Sequence, residues 1–431
     1  MLHFSCFWKA LPLTGLIFAS LIAHARGEET TREADERFRE GRFAEASGLY
    51  TKLREHDPKN HEATLKLGTL ALLGNDLKAA EPLLLQASAL KQDDPTARKE
   101  LAVLYYRRDD FAKAAAIYHA LGVEVLAKKL ESFQGHTPYL IEGKNDVATI
   151  PFVHTDPLPL IQVKVKNETV NFLIDTGAAE VYLDPEFAKK VGAVEFGSTT
   201  GVYGGGLQAN TGQGKVDEVT LGEFVIRNVP VNILSTRRFA AAARGKRVDG
   251  VLGTVLLSHF LTTLDYPKGR LILRRRTREQ VDKLDAQTLV ANGVEIPFWL
   301  AGQHFMLANG RVNKSKPMLF FADTGLAGGG FICPKSTLKD GDITLPNESG
   351  IEGLGGGGAL KAIPFKVDEL SFGPVTRRDV QAFAGVFPET MEYREGFRIG
   401  GFISHQFFRP FALTIDFSRM RFVLVKGDER P

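Results

Sequence analysis

Asp-Thr-Gly occurs twice in this chain, at Asp175–Gly177 and Asp323–Gly325, and each copy closes an apolar run, Phe172-Leu173-Ile174 before the first and Leu319-Phe320-Phe321-Ala322 before the second. At average residue usage one such tripeptide is expected in roughly one chain in ten of this length, so two matched copies point to duplication. An apolar run ending in Asp-Thr-Gly reads as a buried strand entering a tight turn, which places each Asp at a strand end. The similarity continues downstream. Gly204-Gly205-Gly206 begins 29 residues after Asp175, and the glycine run Gly355 to Gly358 begins 32 residues after Asp323. Val251-Leu252-Gly253 and Ile399-Gly400-Gly401 each end 78 residues after their Asp. An apolar helix-like run follows each, Val255 to Phe260 and Phe402 to Phe408, and then Asp265-Tyr266 and Asp416-Phe417. Self-similarity over so long a period demands two equivalent lobes.

Apolar-Asp-Thr-Gly, a glycine-rich hairpin and an apolar-apolar-Gly before a short helix together resemble the retropepsin-like aspartic proteases, over roughly 150–426. One lobe of that kind is half of a homodimer in retroviral relatives, whereas pepsin-like enzymes carry two in one chain; this sequence resembles the second arrangement built from halves of the first. The resemblance implies that Asp175 and Asp323 share a proton and activate water against a peptide bond. It implies that Thr176 and Thr324 bond across the lobe interface, and that Gly177 and Gly325 turn the backbone so that amides face the carboxylates. Two hairpin flaps would cover substrate, one with Tyr203, Gly204 and Gly205 and the other with Gly355 and Gly356. Ala178 and Leu326 follow the glycines where pepsin-like enzymes place Ser or Thr, so the shared proton should be held more tightly and activity should reach weakly acidic pH. Leu326, and Gly400 standing where the first lobe has Leu252, mark the second lobe as the irregular one.

The segment before the lobes, about 31–130, is rich in Ala, Leu, Glu and Lys and reads as helical. A step of 34 residues relates Ala46, Ala80 and Ala114, and also Tyr50, Leu84 and Tyr118. This resembles tetratricopeptide repeats, with Pro58 and Pro95 near the turns between units. So short an array needs neighbours to cover its faces, which the terminal helix 124–133 or the first lobe would supply. The repeats could bind a protein partner or serve as a spacer.

The first 25 residues have the layout of a secretory signal peptide, with Lys9, an apolar stretch from Ala10 to Ala23 and the small-residue pattern Ala23-His24-Ala25. An exported, periplasmic or extracellular protein is therefore expected, without a membrane span once the signal is removed. Cleavage would leave Cys333 as the one thiol, within an apolar run and so buried. A formal charge of +3 over 431 residues gives no reason to expect a nucleic-acid partner.

Other motifs carry no chemistry. Gly353 to Gly358 satisfies G-x-G-x-x-G but leads into a segment containing Pro364, not a helix that could hold a pyrophosphate. The ten histidines lack metal-ligand spacing, and neither metal nor cofactor is expected. Ser258-His259 and Ser404-His405 occupy similar places in the two lobes, which suggests a repeated structural role.

The expected architecture is multidomain, α plus β: a signal peptide (1–25), tetratricopeptide-like helical repeats (26–134), a linker (135–150), a first mainly-β acid-protease-like lobe (151–276), an inter-lobe linker (277–293) and a second such lobe (294–427). The expected activity is aspartic endopeptidase action on a peptide or protein. The alternative is a protease-like module of the cell envelope that binds peptides or acts as an adaptor without cutting.

Overall fold

The computed structural model describes residues 28–345 and 350–427, so the signal-peptide segment lies outside the described residues. The described residues open with seven helices: α1 (28–39), α2 (Phe43–His56), α3 (His61–Leu73), α4 (Leu77–Leu90), α5 (Thr96–Arg107), α6 (Phe111–Ala120) and α7 (Glu124–Glu131). The 34-residue step is visible in the turns. Gly41, Asn75 and Asp109, each just before an even-numbered helix, all take left-handed backbone, with φ of 77°, 57° and 57°. Asp76 and Asp110 then cap α4 and α6 by accepting from the amides of Ala79 and Lys113. Ala46, Ala80 and Ala114 are fully buried where paired helices meet, as small residues at a close crossing must be.

Two mainly-β lobes follow. In the first, strand Glu168–Ile174 carries Asp175 at its end and pairs in parallel with Gly250–Leu252. In the second, Met318–Ala322 precedes Asp323 and pairs in parallel with Ile399–Ile403. Strands Phe260–Asp265 and Phe411–Asp416, one from each lobe, lie antiparallel at the lobe interface, and the hydroxyls of Thr263 and Thr414 meet there at 2.8 Å. Arg270–Arg275 and Val147–His154 extend that sheet on one side, and Arg421–Lys426 and Val294–Pro297 on the other.

Both connecting segments have structure of their own. The stretch 135–150 contains strand Leu140–Glu142 and the start of Val147–His154, because alternating Ala148 and Ile150 bury one face. The stretch 277–293 contains helix Arg278–Val290, capped by Thr277, which buries Val281 and Leu284 against Leu261 and Val423.

The helical array covers both lobes, more than the first lobe and terminal helix alone. Against the second lobe, Phe38 and Phe43 pack edge-on to Phe397, with Phe43 also on Trp299. A β-carbon on Gly41 would fall 2.7 Å from Leu319 Cδ1, directly behind the second Asp-Thr-Gly strand. Arg107 donates to the carbonyls of Leu300 (2.6 Å) and Gly302, and to its own array at Leu72 (2.7 Å). Against the first lobe, α7 presents Lys129 to Glu180, and Asp109 accepts from the His259 ring Nε2 at 3.0 Å.

Candidate active site

The site is assembled from the two strand ends. Beneath it, the Thr176 amide donates to Thr324 Oγ1 and the Thr324 amide to Thr176 Oγ1, both at 3.0 Å. Each hydroxyl then donates onward to the opposite lobe, Thr176 to the Ala322 carbonyl at 2.7 Å and Thr324 to the Ile174 carbonyl at 3.4 Å. Both threonines are fully buried, so this reciprocal set satisfies four groups that water cannot reach.

The grip brings the half-buried carboxyls of Asp175 and Asp323 into hydrogen-bond contact with each other. The Gly177 amide donates to Asp175 Oδ1 at 2.7 Å, and the Gly325 amide to Asp323 Oδ1 at 2.8 Å. Glycine is required at both places, because each carboxyl rests on the other lobe's turn. A β-carbon on Gly325 would lie 2.1 Å from Asp175 Cγ, and one on Gly177 would lie 2.6 Å from Asp323 Oδ1. Burial pushes Asp323 well above the ordinary carboxyl range, and the Asp175 charge beside it raises it further. Burial raises Asp175 as well, opposed by the Gly177 and Ala178 amides and the bond from Asp323. The two carboxyls are coupled, and Asp323 is held the more strongly in its protonated form.

Above the pair stand two hairpins, Val194–Val202 with Gln208–Leu221 and Ile351–Gly355 with Gly358–Phe372. Their tips touch. Tyr203 lies at the first tip, its hydroxyl 2.5 Å from Thr211 Oγ1, and its ring covers Gly356, where a β-carbon would fall 2.2 Å from Tyr203 Cδ1. The Gly205 amide donates to the Val386 carbonyl of the second lobe at 2.6 Å, Gly204 lies against Leu360 and Gly355 against Gly204. Arg238, from the 3-10 turn Arg237–Ala243, donates to the Gly356 carbonyl. Arg238 belongs to the basic stretch Arg237 to Arg247, which by sequence reads only as a solvated loop, because its partner lies 118 residues away.

The positions after the glycines bring no hydroxyl. Ala178 packs on the apolar cluster of Leu158, Leu173 and Val251, and Leu326 on that of Phe402, Leu360 and Phe383. The downstream motif requires a correction. The Asp175 amide donates to the Leu252 carbonyl and the Asp323 amide to the Ile403 carbonyl, so Ile403 stands where Leu252 does, and the counterpart of Gly253 is Ser404. A β-carbon on Gly253 would be 2.1 Å from the Glu180 carbonyl, whereas Ser404 is accommodated and donates to the Leu326 carbonyl at 3.0 Å. Gly400, beside Met318, is no departure at that place. Nor are the two Ser-His pairs equivalent: His405 opens the short helix His405–Phe408, while His259 follows the helix Thr254–Ser258.

The model of the aspartyl protease family matches residues 161–256, which span the first Asp-Thr-Gly, its flap and the Leu252-Gly253 return. Over that span the first lobe is similar to aspartyl proteases. A tetratricopeptide repeat model matches residues 37–99, from the end of α1 into α5. No curated protein matches the chain. Among solved structures, a retropepsin-like aspartic protease from Rickettsia conorii is 22% identical, over 32% of this chain and 94% of that one, with a TM-score of 0.22, too low to inform the fold. Helical repeats followed by aspartyl-protease-like β lobes thus describe the chain.

Proposed function

We propose that the chain is an exported aspartic endopeptidase whose Asp175 and Asp323 form one dyad. The observation that carries this reading is the contact of the two carboxyls above the reciprocal threonine bonds, at equal positions of two lobes. In this reading ionised Asp175 takes a proton from water as its oxygen attacks the scissile carbonyl, and protonated Asp323 donates to the carbonyl oxygen as it becomes a tetrahedral oxyanion. Asp175, now protonated, returns its proton to the leaving nitrogen, and the pair is restored with one proton. The glycine amides hold both carboxyls, so little reorganisation accompanies the transfer. The apolar surroundings of Ala178 and Leu326 favour keeping the shared proton into weakly acidic conditions. Export rests on the layout of residues 1–25, and among the described residues no helix is long and apolar enough to cross a membrane.

The test is hydrolysis of a peptide library by the mature chain beside Asp175→Asn and Asp323→Asn. Each variant should lose at least about a thousandfold in kcat/KM. Wild type that binds peptides but cuts none across pH 3 to 8 would favour the peptide-binding alternative.

A further inference from the structure

Among the described residues Lys129, in α7 of the helical array, is the one buried lysine, 1% exposed, and the dyad chemistry makes no use of it. Taking an ammonium out of water is costly unless its charge is paired and its protons are bonded. Here both conditions hold. Lys129 Nζ donates to the buried carboxylate of Glu180, to Gln213 Oε1 at 3.0 Å and to Asn232 Oδ1 at 3.4 Å, three acceptors for three N–H bonds. The other oxygen of Glu180 accepts from the Tyr106 hydroxyl of α5, so the array supplies both side-chain donors to this carboxylate.

All three acceptors belong to parts of the first lobe that frame Asp175. Glu180 closes the dyad turn. On the inner side of that turn the Thr254 and Val255 amides donate to the Ala178 and Ala179 carbonyls at 2.9 and 2.8 Å, and the Ala178 amide supports Asp175; on the outer side the hold comes from the array. Gln213 lies on the flap strand Gln208–Leu221, and its Nε2 donates to Thr199 Oγ1 at 2.9 Å on the flap's other strand. Asn232 is the register partner both of Tyr182, two residues past Glu180, and of Gln213. One ammonium thus ties the dyad turn to the flap. After Asp323 the turn of the second lobe carries no charged side chain before Lys335, so this tie is particular to the first lobe. We propose that Lys129 is a positioning residue of the active site, through which the helical repeats hold the turn of Asp175 in register with the first flap.

The catalytic consequence rests on the proteolytic reading, so rate and structure are measured separately on the mature full chain. Lys129→Met combined with Glu180→Gln removes both charges together, strands neither, and keeps an acceptor for Tyr106. In that variant kcat/KM on a cleaved peptide should fall at least about tenfold, mostly in kcat, as expected of a misplaced catalytic turn. Amide exchange read by mass spectrometry should quicken over 176–180 and 199–213, while the strands of the second lobe keep their wild-type rates. If the double variant does not melt cooperatively, Gln213→Met, which leaves the ion pair whole, should show the same fall in kcat and quicker exchange over 199–213. Quickened exchange at those segments when wild type itself cuts no peptide supports the positioning role, and only the proteolytic reading falls. Unchanged exchange, or kcat/KM within about twofold of wild type, in the variant that folds overturns the proposal.

Discussion

Single side chains set how this molecule should respond to pH. Asp323 is raised by burial and by Asp175, so the state with one proton on the pair survives above the usual carboxyl range and is lost as pH climbs through the raised value. The optimum of peptide cleavage should therefore lie above about pH 4, and a rate profile peaking below about pH 3 would contradict it. The same shift costs stability at neutral pH, since the unfolded carboxyl ionises freely. Asp323→Asn should then melt a few degrees higher than wild type at pH 7, a gain that shrinks at pH 4. His405 works in the opposite sense. It is fully buried near Asp156 and Arg409, and burial pushes it down to about 4. Its neutral form is favoured in the fold, so the stability it permits is intact above the free value of about 6.5 and is lost as pH falls toward 4, on the order of 3 kcal/mol. Denaturant titrations at pH 7 and pH 4.5 should show His405→Phe losing less stability between them than wild type does.

At the level of strands and turns, the grip and the flaps are the parts whose replacement has a defined cost. Thr324→Val would leave the Thr176 amide buried without an acceptor, a penalty of about 1–3 kcal/mol that urea melts should read directly. Much of this level was legible beforehand. The dyad strands, the flap glycines and the period of 34 rest on local residue patterns, which is why they could be read from order alone. The return strand of the second lobe could not. A bulge between Leu319 and Phe320 shifts its register, and Ile399-Gly400-Gly401 imitates the first lobe's motif three residues too early. Serine fits at 404 because the turn after the second Asp-Thr-Gly runs two residues longer before its next strand and is built from Gly328, Gly329 and Gly330. Lys129 and Glu180, 51 residues apart in different domains, met only through packing that no local pattern encodes.

Taken whole, the molecule is braced by its helices. The array buries Phe397 and Leu319 of one lobe, packs on Trp299 and neutralises Glu180 of the other, so deleting residues 26–134 would expose an apolar face and strand a buried carboxylate. That truncated chain should yield little soluble protein and no cooperative melt, which circular dichroism on refolded material would check. The crossed threonine bonds have one more implication. Where two identical halves must find each other, dilution dissolves the grip and abolishes the site. Here Thr176 and Thr324 belong to one polypeptide, so specific activity should stay constant from nanomolar to micromolar protein, and the cell could not restrain this chain simply by keeping it scarce.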